Sequence, residues 1–406
     1  MHLDAHYVGD QDTSFPANPE VESRCVNDAF TFWKLPKPWR LELEQLIEES
    51  EKRATYYLYE QYLDSRSRRP DWMLSCYYGV KNFIPAAVRH RLNSFAIRSR
   101  RQLTFPKWPC EDTLLRLWGK WLSAFLYRLD VKDGWHIGFW PDDNRSCVVL
   151  THDVESTYGM DRMERMADLE ERHGFRSAWN LALDQYPIDW SRVERLRARG
   201  FEFGAHGLRH DGKLFRSNGH FSALAPRVRT LATEHQLRGF RAPSTLRRLE
   251  WIPELGFDFD SSFSDTDIFE PQPGGTCSIF PFFVGDVVEL PYTLPQDHTL
   301  IHLLRQEPLP VWLRKLKWIE SMGGMILTLT HPDYSGDGTP LADYEQLLQR
   351  LAALPHSWRA LPSEVAAWWR RRASLDLYVH AGKPIITGPD TTGASARLLS
   401  TEPLVH

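Results

Sequence analysis

The sequence is poor in cysteine, and its cysteines form no recognisable pairing motif. The 406 residues contain five of them, an odd number, at widely separated positions: Cys25, Cys76, Cys110, Cys147 and Cys277. Small secreted folds that depend on disulfides use cysteines in even numbers and at regular, close spacing. The cysteine content therefore excludes such a fold and indicates free thiols in a reducing compartment.

Export signals, membrane spans and a strong net charge are also missing. No apolar run approaches the roughly 18 residues of a membrane-spanning helix. The amino terminus has no basic segment followed by an apolar stretch, as a secretory signal requires, so we expect a cytoplasmic protein without a transmembrane segment. The formal net charge of −4 gives no support to nucleic-acid binding. No Gly-x-Ser-x-Gly elbow, phosphate loop or dinucleotide fingerprint occurs, which argues against those enzyme classes.

What the sequence does contain is the composition of a globular protein, with 42% hydrophobic and 25% charged residues. Residues 1–140 are rich in aromatic residues, and the apolar positions in 38–69 and after 111 recur at helical spacing. Residues 145–372 alternate between strand and helix patterns, and residues 373–406 form a tail with a terminal strand or loop. The pattern predicts an α/β fold, a (β/α) barrel carrying a mainly helical N-terminal extension.

The alternating region predicts seven strands and six helices. The strands are expected over residues 147–151, 175–183, 201–205, 238–241, 257–261, 287–290 and 325–330. The helices are expected over residues 159–173, 191–199, 226–235, 246–255, 341–354 and 362–372. Strands of a parallel sheet end at one common edge, where ligands bind in such folds. The residues that follow each strand are therefore the candidates for a functional site.

Polar residues collect at four of these strand ends. They are Asp153 and Glu155 after the first strand, His206 and His210 after the third, Arg241 after the fourth, and His331 and Asp333 after the last. Residues two apart on an extended chain share a side, and residues four apart in a helical turn can also do so. Two imidazoles and one carboxylate provide three protein ligands for a catalytic divalent metal, most simply zinc. The other carboxylate is then free to take a proton from water.

The ordered segments "LTHDVE", "GAHGLRH", "FRAP" and "LTLTHP" resemble the polysaccharide deacetylase family, the NodB-homology or carbohydrate esterase 4 group. The resemblance covers residues 146–372 and implies a distorted (β/α) barrel that removes acetyl groups from glycans with a divalent metal. It implies that Asp153 is the catalytic base and that His206 and His210 bind the metal. Arg241 would orient the base, and His331 would protonate the leaving group.

Two departures from this family pattern affect the site. The usual adjacent aspartates are replaced by Asp153-Val154-Glu155, which fits, with one extra methylene in Glu155, the Asp-x-Asp form of relatives that act on cyclic amides and allantoin-like compounds. Glu155 is then the third metal ligand. The family's aspartate partner of the general acid has no unique match: Asp265, Asp267 and Asp297 all remain candidates to support His331. His152, on the opposite side of the strand, is expected to be a packed core histidine.

Three hypotheses follow for the function. The first is a metal-dependent hydrolase that removes an acetyl or other acyl group from an N-acetylated sugar or polysaccharide precursor by attack of a metal-bound water. The second is an imidase- or allantoinase-like hydrolase, and the third is a non-catalytic glycan-binding module. Residues 81–101 contain seven basic or histidine residues and no acidic one. They form either a patch for a lipid- or nucleotide-linked sugar at a membrane surface, or a solvated helix face.

Overall fold

A computed structural model describes residues 27–63, 104–132, 134–270 and 272–399. The basic stretch 81–101 lies outside these residues. None of the helices in the described ranges is long and apolar enough to cross a membrane.

The described chain contains the following regular elements. The α-helices are α1 Ala29–Trp33, α2 Glu44–Leu58, α3 Thr113–Arg128, α4 Thr157–Met160, α5 Met163–Arg172, α6 Trp190–Ala198, α7 Asn218–Glu234, α8 Pro308–Met322, α9 Pro332–Ser335, α10 Gly338–Ala352 and α11 Pro362–Ala373. Short 3₁₀ or π turns span Lys37–Glu42, Pro243–Thr245, Ile252–Leu255 and Thr299–Leu304. The strands are β1 Gly134–Ile137, β2 Ser146–Val154, β3 Ser177–Leu181, β4 Glu202–Ala205, β5 Gly239–Phe240, β6 Phe259–Asp260, β7 Phe282–Val284, β8 Val287–Glu289, β9 Met325–Leu327, β10 Ser357–Arg359, β11 Asp376–His380, β12 Lys383–Thr387 and β13 Ala396–Leu399.

The main sheet is built around β2, whose nine residues are all buried. The strand order is β2-β3-β4-β5-β6-β8-β7, and β9 and β10 also pair with β2. Every pairing is parallel except that of β7 with β8. The Leu327 carbonyl of β9 accepts the amides of Thr293 and Leu294, both at 3.0 Å, so the chain after β8 meets β9. The sheet thus curls toward closure, and the predicted distorted (β/α) barrel is confirmed.

The predicted helix over residues 246–255 is wrong. Only Ile252–Leu255 is helical there, as a 3₁₀ turn, and Leu246 is extended. The physical reason is the buried side chain of Arg247, which forms an ion pair with the equally buried Glu60 of the extension. An unpaired buried charge costs more free energy than the helical hydrogen bonds of this short segment would supply. The contact with Glu60 therefore determines the conformation of the segment in place of the local pattern.

Two further helices differ from the sequence prediction. The helix expected over residues 159–173 is divided into α4 and α5. The Ser156 side chain caps α4 by accepting the Gly159 amide, so the helical segment begins earlier than expected. Helix α8, Pro308–Met322, had no counterpart in the prediction, although its buried Val311, Trp312 and Ile319 follow helical spacing.

The extension and the tail pack against the barrel. Strand β1 pairs antiparallel with β13, so the last part of the extension and the C-terminal tail share a two-stranded sheet. The buried Arg372 of α11 donates hydrogen bonds to the carbonyls of Phe32, Ile137 and Gly138. Phe32 stacks on Trp118 with ring centroids 3.7 Å apart. The described extension is therefore attached through both backbone pairing and aromatic packing.

A buried acid on β4 makes the stability of this fold depend on pH. Burial raises the pKa of Glu202 from 4.5 to about 7, although the Ser363 amide donates to it. The folded state favours the protonated form of Glu202. The contribution of this carboxyl group to stability is therefore complete at pH values below its unfolded pKa, and it is lost as the pH rises through its folded pKa.

We expect Glu202→Gln to remove this dependence. The variant should exceed the wild type in free energy of unfolding above pH 7 by up to about 3 kcal/mol, and the two should converge below pH 4.5. Chemical denaturation from pH 4 to pH 8 measures the difference. Glu48→Gln, at an exposed position, is the matched control and should show a constant offset. A Glu202→Gln offset that is equally constant with pH would contradict the assignment.

Candidate metal centre

The carboxyl ends of β2 and β4 bring the predicted site residues together. Val154 is fully buried between Asp153 and Glu155, so the strand alternation turns both carboxylates to the same side. His206 directly follows β4, and its amide donates to the Leu181 carbonyl of β3 at 2.8 Å. This hydrogen bond continues the parallel ladder and fixes where the histidine segment leaves the sheet.

Glu155, His206 and His210 form one group whose potential ligand atoms all lie within 4.8 Å of one another. The Glu155 Oε1 atom is 3.7 Å from His206 Nε2 and 2.9 Å from His210 Nε2. His206 is buried, whereas Glu155 and His210 keep 17% and 23% of their side-chain surface exposed. The group therefore has a closed side against the sheet and an open side toward solvent.

The surroundings of His206 prepare its Nε2 atom for a cation. Its Nδ1 lies 3.1 Å from the Arg241 carbonyl oxygen, which can only accept, so Nδ1 carries the proton in the neutral ring. The lone pair of Nε2 then points toward Glu155. This Nε2 is buried and has no hydrogen-bond partner within the described part of the chain. A buried polar atom of this kind requires an explanation, and a metal ion provides one.

The Nε2 atom of His210 lies close to both a hydrogen-bond donor and a carboxylate. The Ser244 amide donates to it at 3.0 Å, and the Glu155 carboxylate lies 2.9 Å away. A nitrogen that accepts the amide proton has no proton of its own for the carboxylate, so the two lone-pair bearers repel each other. Ser244 holds this amide in place from a left-handed conformation, with φ at 54°. A cation bound to Nε2 would take this lone pair in place of the Ser244 amide and would replace the repulsion by attraction to the carboxylate.

These residues fit a divalent metal. Two neutral imidazole nitrogens and one carboxylate, with an open side toward solvent, are the donor set of catalytic zinc sites. The hydrogen bond from His206 Nδ1 to a backbone carbonyl is the outer interaction that orients a metal-binding imidazole. Glu155, His206 and His210 are the residues that would hold the ion.

Asp153 lies beside this group and is held by two donors. Its Oδ1 accepts from Asn180 Nδ2 at 2.9 Å and from Arg241 Nη1 at 3.1 Å. Its Oδ2 is 3.8 Å from His206 Nδ1. Burial works to raise the pKa of Asp153, but the positive charge of Arg241, together with the neighbouring histidines, outweighs it and keeps the pKa below its ordinary value. Asp153 is therefore an ionised carboxylate that can accept a proton.

Arg241 is completely buried, and its guanidinium is held by several hydrogen bonds. Besides Asp153, its guanidinium donates to Thr151 Oγ1 and to the carbonyl and hydroxyl oxygens of Ser261, at 2.7 to 2.9 Å. These bonds fix the guanidinium plane against β2 and the end of β6. The geometry agrees with a residue that orients the Asp153 carboxylate.

His331 faces the same site from the chain after β9. Its Nε2 lies 3.6 Å from Glu155 Oε1, and its Nδ1 lies 2.6 Å from Asp297 Oδ1. Burial alone would lower the pKa of His331, but the charge and hydrogen bond of Asp297, helped by Glu155 and Asp153, raise it to about 10. His331 is thus an imidazolium at neutral pH, with the proton on Nε2 directed to the site.

Among the three aspartates considered as the partner of His331, Asp297 is the one in contact. It also accepts hydrogen bonds from the His331 amide at 2.8 Å and the Ser335 hydroxyl at 2.6 Å. Asp265 instead forms a buried ion pair with Lys315 at 2.7 Å. Asp267 accepts the Phe269 amide within its own loop.

Two further polar residues contact the site: Asp333, one of the polar residues at the predicted strand ends, and Asn180, which was not predicted from the sequence. Asp333 accepts hydrogen bonds from the Glu155 amide, at 3.2 Å, and from the Ser156 hydroxyl, so it holds the turn that carries Glu155. Asn180 lies within the apolar strand "SAWNL", where a buried amide is the one polar side chain that could have signalled a contact with the site. His152 is buried as expected, between Thr330 Oγ1 at 2.8 Å and Glu170 Oε1 at 2.6 Å.

At one end of the curled α/β barrel, a carboxylate and two histidines thus form a group with the donor atoms to hold a divalent metal ion. No protein-family model and no curated protein matches the sequence. Solved structures do match. A probable polysaccharide deacetylase from Pseudomonas aeruginosa PAO1 is 16% identical, with a TM-score of 0.45, over 58% of this chain and 94% of its own. Puue allantoinase is 14% identical, with a TM-score of 0.47, over 57% and 93%.

A third match is a carbohydrate esterase 4 pseudoenzyme from Bacillus anthracis. It is 17% identical, with a TM-score of 0.36, over 55% of this chain and 66% of its own length. The matched structures include polysaccharide deacetylases and carbohydrate esterase 4 proteins.

We expect His206→Ala and His210→Ala each to abolish stoichiometric binding of zinc. Each substitution removes one of three ligands, and the remaining two cannot hold the ion at micromolar concentration. Elemental analysis after dialysis measures the metal content, and the rise in melting temperature on adding zinc measures its binding to the folded state. His220→Ala is the matched control, because the His220 side chain contacts Ser217 at the start of α7 and is not part of the ligand group. Full zinc content in His206→Ala would show that the ion binds elsewhere.

Proposed function

We propose that this protein is a metal-dependent hydrolase that removes an acetyl or related acyl group from the nitrogen of an N-acetylated sugar or polysaccharide precursor. The observation that carries the proposal is the convergence of three kinds of group at one sheet edge. A metal-ligand set, Glu155, His206 and His210, lies beside an oriented carboxylate, Asp153, and an imidazolium, His331. Hydrolysis of an amide needs these groups together, because one must accept a proton and another must donate one.

The proposed roles follow from the hydrogen bonds already described. A divalent ion held by the three ligands supplies Lewis acidity, which lowers the pKa of water and withdraws charge from a carbonyl oxygen. Asp153 takes the proton of the attacking water on Oδ2, since its Oδ1 is occupied by Asn180 and Arg241. The buried Arg241 keeps this carboxylate ionised and fixed in orientation.

His331 completes the reaction as the acid. Water oxygen adds to the acyl carbon, the bond from that carbon to nitrogen breaks, and the departing nitrogen receives the Nε2 proton of His331. The Asp297 carboxylate stabilises the imidazolium before this transfer. The products are a carboxylic acid and a free amine, and the proton taken by Asp153 balances the one given by His331.

The substrate class rests on the motif resemblance, which covers residues 146–372. A second candidate is hydrolysis of a cyclic imide or ureide. It is favoured by the spacing of Asp153 and Glu155, which places a buried Val154 between the base and the metal ligand. The ion pairs of the base with Arg241 and of the acid with Asp297 argue against a non-catalytic glycan-binding module. Simple sugar binding would require neither pair.

The test is release of acetate from a panel of N-acetylated sugars and oligosaccharides by the zinc-loaded protein, with cyclic imides and allantoin as the second arm. We expect acetate release from the first arm. Asp153→Asn and His331→Ala should each lower kcat by roughly 10²- to 10⁴-fold, because each removes one proton transfer. Both variants should retain zinc. Turnover restricted to the imides would favour the second candidate, and absence of turnover in both arms would favour the binding module.

The Asp297 carboxylate should set the basic limit of activity. His331 donates only when protonated, so its contribution is complete well below a pKa of about 10 and is lost as the pH rises through it. Asp297→Asn removes the raising charge, and we expect the basic limb of the kcat profile to move to lower pH. Ser335→Ala is the control, since it removes a hydrogen bond to Asp297 but no charge. Identical basic limbs in wild type and Asp297→Asn would disprove this role.

A further inference from the structure

Three residues lie side by side across β2, β3 and β4. Asp153 is the register partner of Asn180, and Asn180 is the register partner of Gly204. Neighbouring residues in parallel register direct their side chains to the same face of a sheet. The Asp153 carboxylate, the Asn180 amide and Gly204, which has no side chain, therefore form one row on the face of the sheet that carries the candidate base.

The amide of Asn180 makes a specific contact within this row. Its Nδ2 donates to Asp153 Oδ1 at 2.9 Å, and the side chain is buried, with 5% of the residue exposed. Arg241 donates to the same Oδ1 at 3.1 Å. Both donors act on one oxygen, which leaves Oδ2 as the oxygen nearest His206. The plane of the carboxylate is thereby defined from two directions, one in the sheet and one from the loop after β5.

Gly204 provides the space in which the Asn180 amide lies. A Cβ atom at position 204 would come well inside van der Waals contact with Asn180 Oδ1 and within 3.0 Å of the Gly239 carbonyl oxygen. The backbone of Gly204 has no left-handed conformation that would itself require glycine. Its lack of a side chain is thus explained by the neighbour across the sheet.

We propose that Asn180, accommodated by Gly204, is a positioning residue that fixes the plane of the Asp153 carboxylate and leaves its Oδ2 free on the side of His206. The inference rests on the proposed function for its kinetic consequence, because Asp153 is the base there. Among the described residues, Asn180 forms no hydrogen bond with the metal ligands or with His331. Its removal should therefore change the rate of the chemical step and leave metal binding intact.

The experiment is a double-mutant cycle with Asn180→Ala, Gly204→Ala and the combination of both, on the zinc-loaded full-length protein. We expect each single substitution to lower kcat by about 10- to 100-fold, because a misplaced reacting group loses that much. KM and zinc content should remain within twofold of wild type. The combined variant should be no slower than Asn180→Ala alone, since the added methyl group no longer has an amide to displace.

Other outcomes would overturn the inference. They are a kcat for Asn180→Ala within twofold of wild type, effects of the two substitutions that multiply, or a loss of zinc that explains the rate. Asn27→Ala is the matched control: Asn27 is a buried asparagine with two hydrogen bonds to Phe283, remote from the site, and its loss should lower only the melting temperature.

A crystal structure of Asn180→Ala separates this inference from the proposed function. If the Asp153 carboxylate is turned in this variant, the positioning role is supported. This holds even if the wild type releases no acetate, because that result would refute only the proposed deacylation. An unchanged carboxylate plane overturns the inference whatever the kinetics of the wild type.

Discussion

The site depends on the buried guanidinium of Arg241. A charge with no exposure to solvent is tolerated only with an opposite charge and a full set of hydrogen bonds, since an unpaired one costs several kcal/mol. Here the opposite charge is Asp153, and three further hydrogen bonds go to Thr151 and Ser261. The backbone of the same arginine accepts from His206 Nδ1. One residue thus fixes both the ionisation of the candidate base and the ring nitrogen that a metal ligand presents.

Asp153 lies within β2 and Glu155 lies just after it, and the two carboxylates differ in burial and in neighbours. Asp153 lies at the buried edge of the sheet, where amide and guanidinium donors occupy one of its oxygens. Glu155, two residues later, has left the sheet and faces the imidazoles of His206, His210 and His331 at 2.9 to 3.7 Å. Equivalent chemical groups become an oriented proton acceptor and a candidate metal ligand because their neighbours differ.

Patterns that act locally were read correctly from the sequence. The two-residue period of an extended chain predicts that Asp153 and Glu155 share one side, and both lie within 4 Å of His206. His206 and His210 also lie close together, but through an irregular segment after β4 and not through a helical turn. Contacts between segments distant in the chain were not accessible in this way. The pairing of Glu60 with Arg247 removed a predicted helix, because the gain from neutralising a buried charge depends on a residue that no local window contains.

The sequence by itself determined the alternation of strands and helices, and with it the common edge at which the polar residues of four strands end. Hydrophobic periodicity and strand length are sufficient for that, since they are properties of adjacent residues. Only the tertiary structure decided that Asp297, and not Asp265 or Asp267, contacts His331, and that Asn180 contacts Asp153. Those choices depend on strand register and on which buried charges find partners, and both are set when the whole sheet assembles.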